Sequence, residues 1–219
     1  MSPRQTSKRS KADELILPEW FFLFVRTPLR YAWRILFRIK FKGIEHIPKT
    51  GGLIVAANHQ SYIDPFWLSI PIRRPLRFLA WDAAFAWPVV GKFISLFGAW
   101  PLQLEGSDPA AIRRTLQWLA AGGAIVIFPE GARGQADGSM RKFKAGAVRL
   151  ALDAGVPILP VTISGGNRVW PSGRYVPRLA PVEITYHPLF HVEQAQGEEP
   201  RACARRETER LAEVIRTGL

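Results

Sequence analysis

A five-residue run without a polar side chain, Ala124-Ile125-Val126-Ile127-Phe128, ends abruptly in Pro129-Glu130-Gly131-Ala132-Arg133. A strand with one face in water alternates apolar and polar residues, whereas one covered on both faces is apolar throughout, as in parallel sheets wrapped by helices. A second run, Leu53-Ile54-Val55-Ala56-Ala57, follows a turn at Lys49-Thr50-Gly51-Gly52 and reads as another strand. Residues 77–80, 100–104, 156–163 and 182–186 read as further strands, and Pro157 and Pro160 put the 156–163 strand at an edge or an end of pairing. Helical signals alternate with them. Asp108-Pro109 is a cap followed by an N1 proline, opening a helix with Ile112, Leu116 and Leu119 on one face and a stop at Gly122-Gly123. Residues 143–153 form a helix closed by Gly155, and 198–217 a charged amphipathic one. The expected fold is α/β, a mainly parallel or mixed central sheet flanked by helices, and 219 residues hold one such domain with an appendage.

The strand 53–57 runs directly into Asn58-His59-Gln60-Ser61-Tyr62-Ile63-Asp64. A separation of five leaves His59 and Asp64 about 140° apart on a helix and on opposite faces of a strand. A strand turning into a helix lets them meet, at the carboxyl end of a strand, where α/β sheets place their chemistry. There the pair offers a histidine general base held by a carboxylate. The competing reading makes Asp64 an N-cap ahead of Pro65 and His59 a core histidine.

Residues 1–42 read as a separate segment, a basic tail and amphipathic helices preceding a domain at 43–219. The aromatic run Trp20-Phe21-Phe22-Leu23-Phe24 lies in an apolar stretch interrupted by Pro18 and Glu19 and too short to span a bilayer. Arg26, Arg30, Arg34 and Arg38 follow at intervals of four, the last three forming a stripe on a helix that starts near Thr27-Pro28, with Leu29, Trp33, Leu36 and Phe37 on a broad apolar face. Such a helix lies in a membrane interface with its arginines toward anionic headgroups, a membrane anchor. The bland alternative packs it on the protein's own core.

The chain carries 30 Lys and Arg against 18 Asp and Glu, a net charge of +12, which predicts an anionic partner. No nucleic-acid motif accompanies the charge, so nucleic acid is not expected. A single cysteine, Cys203, rules out a disulfide framework and a cysteine zinc site, and suits a reducing compartment. No signal-peptide core follows the basic N-terminus, so export is not expected. His187 and His191 have helical metal spacing, but Pro188 lies between them, and no metal is expected. Ser164-Gly165-Gly166-Asn167 lacks the Walker lysine and reads as a strand-ending turn.

Glu130 and Arg133 leave the buried strand together. Arg133 suits bidentate contact with a phosphate, and Glu130 is placed either to accept from a substrate hydroxyl or to pair with Arg133. The two stations, 58–64 and 128–133, joined by Val156-Pro157-Ile158-Leu159-Pro160-Val161, resemble the glycerolipid (lysophospholipid) acyltransferases in order and spacing over residues 43–190. The resemblance implies acyl transfer from acyl-CoA or acyl carrier protein to a lysophospholipid hydroxyl, most simply 1-acylglycerol-3-phosphate, with no cofactor. His59 would be the base and Asp64 its orienting partner. Asn58, Glu130, Gly131, Arg133 and Lys144 would bind substrate, and the work would take place at the cytoplasmic face of a membrane. The absence of a Gly-x-Ser-x-Gly elbow agrees with direct transfer. Two departures stand out: Trp81-Asp82 where the family often has a basic residue before an acidic one, and Gln103 near an expected arginine. They make a lysolipid with another headgroup, such as an amino-acid lysolipid, the alternative acceptor. A non-catalytic membrane-surface lipid binder is the alternative to an enzyme.

Overall fold

The computed structural model describes residue 28 and residues 31–87, 91–92, 94–95, 98–102, 108–171 and 176–219. The expectations about the aromatic run, Arg26, Arg30 and Gln103 fall outside them.

Among the described residues, seven strands form one sheet: β1 (Lys40–Lys42), β2 (Leu53–Ala57), β3 (Leu76–Trp81), β4 (Ala99–Leu102), β5 (Ala124–Ile127), β6 (Ile158–Ser164) and β7 (Glu183–Tyr186). The helices are α1 (Asp64–Ser69), α2 (Pro109–Ala120), α3 (Gly146–Ala154), α4 (Gly166–Val169) and α5 (Pro200–Arg216). The strand order is β1-β7-β6-β2-β5-β3-β4, and every neighbouring pair is parallel except β6 with β7. The expected mixed α/β sheet with flanking helices is what forms.

The two apolar runs become β2 and β5, side by side with Val55 opposite Val126. Every residue of β2 is buried, because helices cover both sheet faces. Leu53, Val55 and Ala57 face α1, joining Trp67 and Leu68, with Val126, Leu159 and Val161 alongside. Ile54 and Ala56 face the other way, toward Leu119, Val148 and Leu211 on α2, α3 and α5. Burying each such Leu, Ile or Val side chain contributes about 1.5–3 kcal/mol, so an apolar run at period two feeds two cores at once.

Three expectations are corrected. The strand containing Pro160 is interior, between β2 and β7. It accommodates the proline because Pro160 stands opposite His187, one residue beyond the end of β7. There the His187 N–H donates to the Pro160 carbonyl at 3.0 Å, and only the reciprocal bond is lost. On α2 the buried residues are Ala111, Thr115 and Leu119, while Ile112 is 40% exposed. The helix is capped as expected, with Asp108 accepting from the Ala111 N–H at 2.9 Å, but it is turned so that small residues meet the sheet.

The third correction concerns the boundary at residue 43, which falls inside the sheet's edge. Helical residues 31–36 end at Arg38, whose φ is +45°, so the arginine stripe does not continue there as helix. Phe37 and Ile39 are in the core, and β1 pairs with β7. Gly43 then passes so close to β7 that a Cβ would lie 2.0 Å from the Tyr186 carbonyl oxygen. Among the described residues, no helix is long and apolar enough to cross a membrane.

Candidate active site

Because β6, β2 and β5 are adjacent and parallel, the loops leaving their carboxyl ends emerge together. They carry Gly165-Gly166-Asn167, the 58–64 segment and the 129–134 segment. The convergence brings residues up to 107 positions apart in the chain into hydrogen-bonding range.

His59 Nδ1 lies 2.9 Å from Asp64 Oδ2. The same oxygen accepts the backbone N–H groups of Gln60 at 2.6 Å and Ser61 at 2.7 Å. Asp64 is wholly buried, whereas the His59 side chain is 19% exposed. The turn thus curls around the carboxylate, and two backbone donors fix it before it meets the imidazole. With Nδ1 directed at Asp64, the ring's other nitrogen, Nε2, is the one available for proton transfer. The Phe128 ring stacks on His59 at 4.1 Å between centroids, fixing the imidazole plane. Asp64 is not an N-cap: the residue preceding α1 is Ile63, and the carboxylate bonds upstream rather than into the helix.

The backbone of His59 is clasped from the second loop. Glu130 Oε1 accepts from the His59 N–H at 2.7 Å, and the Gly134 N–H donates to the His59 carbonyl at 2.6 Å. Glu130 Oε2 accepts from the Arg141 N–H at 2.6 Å. Burial pushes the Glu130 carboxyl above the usual carboxylate range, against the opposite pull of those two backbone donors. Its partners are therefore two loops of its own chain, and it forms no ion pair with Arg133. Gly131 turns the chain at φ +70°, and the Lys144 side chain lies over it, where a Cβ would approach Nζ to 2.8 Å.

Arg133 goes instead to Tyr62. Its Nη2 donates to the Tyr62 hydroxyl at 2.7 Å, and the guanidinium carbon sits 3.5 Å from the ring centroid. Trp170 meets the same ring edge-on at 5.3 Å. Nη1 of Arg133 is buried and makes no hydrogen bond within the described residues.

Asn58, expected on the substrate, is corrected by its burial. It is wholly inaccessible, its amide donating to the Ile163 carbonyl at 2.9 Å and accepting from the Ile163 N–H at 2.7 Å. It is a brace between the end of β2 and β6. Gln60 is a second buried brace: Nε2 donates to the Gly138 carbonyl at 3.1 Å, and Oε1 accepts the Gly166 N–H at 2.9 Å. It joins the loop after β5 to the turn after β6. Sequence reasoning missed Gln60, Tyr62 and the Phe128 ring, although all three stand inside the two motifs. Their partners lie in distant segments, and that is where the signal was missing.

Residues 38–164 match the family model described as Acyltransferase. A 1-acyl-sn-glycerol-3-phosphate acyltransferase of Pseudomonas aeruginosa is 30% identical over 172 residues, covering 76% of this chain and 63% of the relative. The chloroplastic 1-acyl-sn-glycerol-3-phosphate acyltransferase LPAT1 of Arabidopsis thaliana is 30% identical over 142 residues, covering 63% of this chain and 39% of the plant protein. The chain therefore spans about two fifths of the plant protein's length and under two thirds of the bacterial one's. The crystal structure of the 1-acyl-sn-glycerophosphate acyltransferase PlsC of Thermotoga maritima superposes with a TM-score of 0.67 at 27% identity, covering 94% of this chain and 78% of that one.

Proposed function

This chain belongs to the acyltransferase family, and we propose on that premise that it transfers a fatty acyl group from acyl-CoA or acyl carrier protein to the free hydroxyl of 1-acylglycerol-3-phosphate, giving phosphatidate. The observation that carries the reading is the contact between His59 Nδ1 and Asp64 Oδ2, made by a carboxylate that two backbone N–H groups already hold. His59 Nε2 takes the proton of the acceptor hydroxyl as its oxygen attacks the thioester carbonyl. The C–S bond breaks, the ester C–O bond forms, and the proton passes to the departing thiolate. Asp64 holds the imidazole in the tautomer whose Nε2 is free to accept and stabilises the imidazolium that follows. Arg133, braced on Tyr62 by its Nη2 hydrogen bond, meets the acceptor phosphate.

The lipid acceptor places the reaction at a membrane surface, and the protein acts there as a peripheral or monotopic protein of the cytoplasmic face. Tyr31, Ile35 and Leu36 support this position, since they are 61%, 77% and 51% exposed on the segment preceding β1. Grouped apolar exposure of that kind suits an interface. The test is formation of phosphatidate from labelled acyl-CoA and lysophosphatidate by the wild type and by His59→Ala. Equal product from both would overturn the reading. A panel of lysolipids run alongside identifies the headgroup.

A further inference from the structure

We infer that the cavity between residues 141–145 and α5 takes the phosphate groups of a nucleotide thioester, the carrier half of a CoA-type acyl donor. The inference rests on the acyl-transfer reading above and names where its donor is held. The cavity measures about 350 Å³, with Arg141 and Lys142 on one wall and Arg205 and Arg216 on the other. Two carboxylates, Glu209 and Glu213, share the lining, and Glu213 is paired with Arg216. The balance stays positive. Phe143, Ala145 and Ala212 add apolar lining, so the cavity combines guanidinium groups for phosphate oxygens with apolar contact, matching the two parts of a nucleotide.

Its position relative to His59 gives the cavity a task. The Arg141 N–H donates to Glu130 Oε2, whose partner oxygen accepts from the His59 N–H, and Arg141 Nε donates to the Arg133 carbonyl at 2.8 Å. One carboxylate therefore separates the cavity's near wall from the backbone of the histidine. The donor must bring its thioester carbonyl to His59 while a long polyanionic tail extends away from it. The acceptor phosphate has a nearer partner in Arg133. Two anionic handles thus meet two cationic stations, and the carrier falls in the one between residues 141–145 and α5.

The test uses the full chain with Arg205→Glu, Arg205→Glu/Arg216→Glu and the milder Arg205→Ala, all on the wall remote from the reacting atoms. Melting curves establish that each is folded. Adenosine 3′,5′-bisphosphate is the binding probe, followed by calorimetry. The wild type is expected to bind it in competition with acyl-CoA. The double variant is expected to weaken that binding and to raise KM for acyl-CoA about ten- to a hundredfold, the scale of losing one or two charge-assisted contacts. Its kcat, its KM for lysophosphatidate and its use of an acyl-N-acetylcysteamine thioester, which lacks the nucleotide, should stay within about twofold. Three results would overturn the inference: bisphosphate that fails to bind or binds wild type and variant alike, KM rising equally for both thioesters, or a wild type that accepts only acyl carrier protein. Variant-sensitive bisphosphate binding without transfer to any acceptor would leave the cavity's ligand class standing and remove the acyl-transfer reading.

Discussion

Replacing Asp64 by Asn isolates the charge at the centre of the site from its shape. Oδ2 accepts from His59 Nδ1 at 2.9 Å, from Gln60 N at 2.6 Å and from Ser61 N at 2.7 Å. An asparagine with its amide oxygen in that position keeps all three acceptor contacts and the side-chain volume, so the turn persists. The negative charge facing the imidazolium is lost. For opposite charges about 4 Å apart at an effective dielectric of about 20, the attraction is about 4 kcal/mol. Since about 1.4 kcal/mol is a factor of ten, the ceiling on the loss is about three powers of ten. The amide dipole, still pointed at the ring, retains part of the attraction. A fall in kcat of about a hundred- to a thousandfold is therefore expected. The assay is thiol release from acyl-CoA in the presence of lysophosphatidate, with melting curves to establish that the variant is folded. The same change in a His59→Ala background should cost less than about threefold, because an orienting group has nothing left to orient. A folded Asp64→Asn enzyme within about threefold of wild type, or an undiminished loss in the His59→Ala background, would refute the reasoning.

Other consequences follow from neighbouring contacts. Asn58→Ala strands the N–H and carbonyl of Ile163 in the interior and should destabilise the fold by about 2–4 kcal/mol in urea titration, leaving KM for the acceptor unchanged where the protein is folded. Tyr62→Leu removes both the ring beneath Arg133 and its hydroxyl partner. It should raise KM for a phosphate-bearing acceptor about tenfold with little change in kcat, and Tyr62→Phe should recover much of the loss. At the other end of β7, Thr162 Oγ1 donates to the Ile215 carbonyl at 2.5 Å, so His187 Nε2, 2.8 Å from that oxygen, supplies the second proton. Burial first and His46 second hold the His187 pKa below its ordinary 6.5. The native state therefore binds fewer protons than the unfolded chain, and this contribution is complete above about pH 6.5 and lost as the pH falls through the lower native value. Melting temperature should decline on acidification below that point in the wild type, and less in His187→Gln.

Much of this fold was legible from local pattern. A strand covered on both faces has no polar face to alternate with, so the five apolar letters of 124–128 announced a strand whose residues 124–126 are buried. The Asp108 cap and the stop after α2 were equally readable, because capping is settled within one turn of helix. The side of α2 that meets the sheet was not. Neighbouring helical stripes differ by about 100° per residue, and the small residues Ala111 and Thr115 fitted the sheet where the larger Ile112 was expected. β1 escaped notice for a different reason. Three residues with lysines at both ends show no strand pattern of their own, and it is β7 that makes them one.

The site divides in the same way. His59 and Asp64 are five residues apart, so the turn that joins them is a local matter, and their contact was legible from the sequence. Glu130 and Arg133 were recognised as a station, but not what each would hold. Sheet order alone decided that Glu130 would clasp the backbone of His59, 71 positions away, that Arg133 would settle on Tyr62, and that Asn58 would turn inward to β6. A motif determines which groups arrive at the carboxyl ends of the strands. Which of them face substrate and which satisfy buried backbone depends on the loops that parallel pairing brings beside them, since a buried polar group must bond to whatever the neighbouring chain presents.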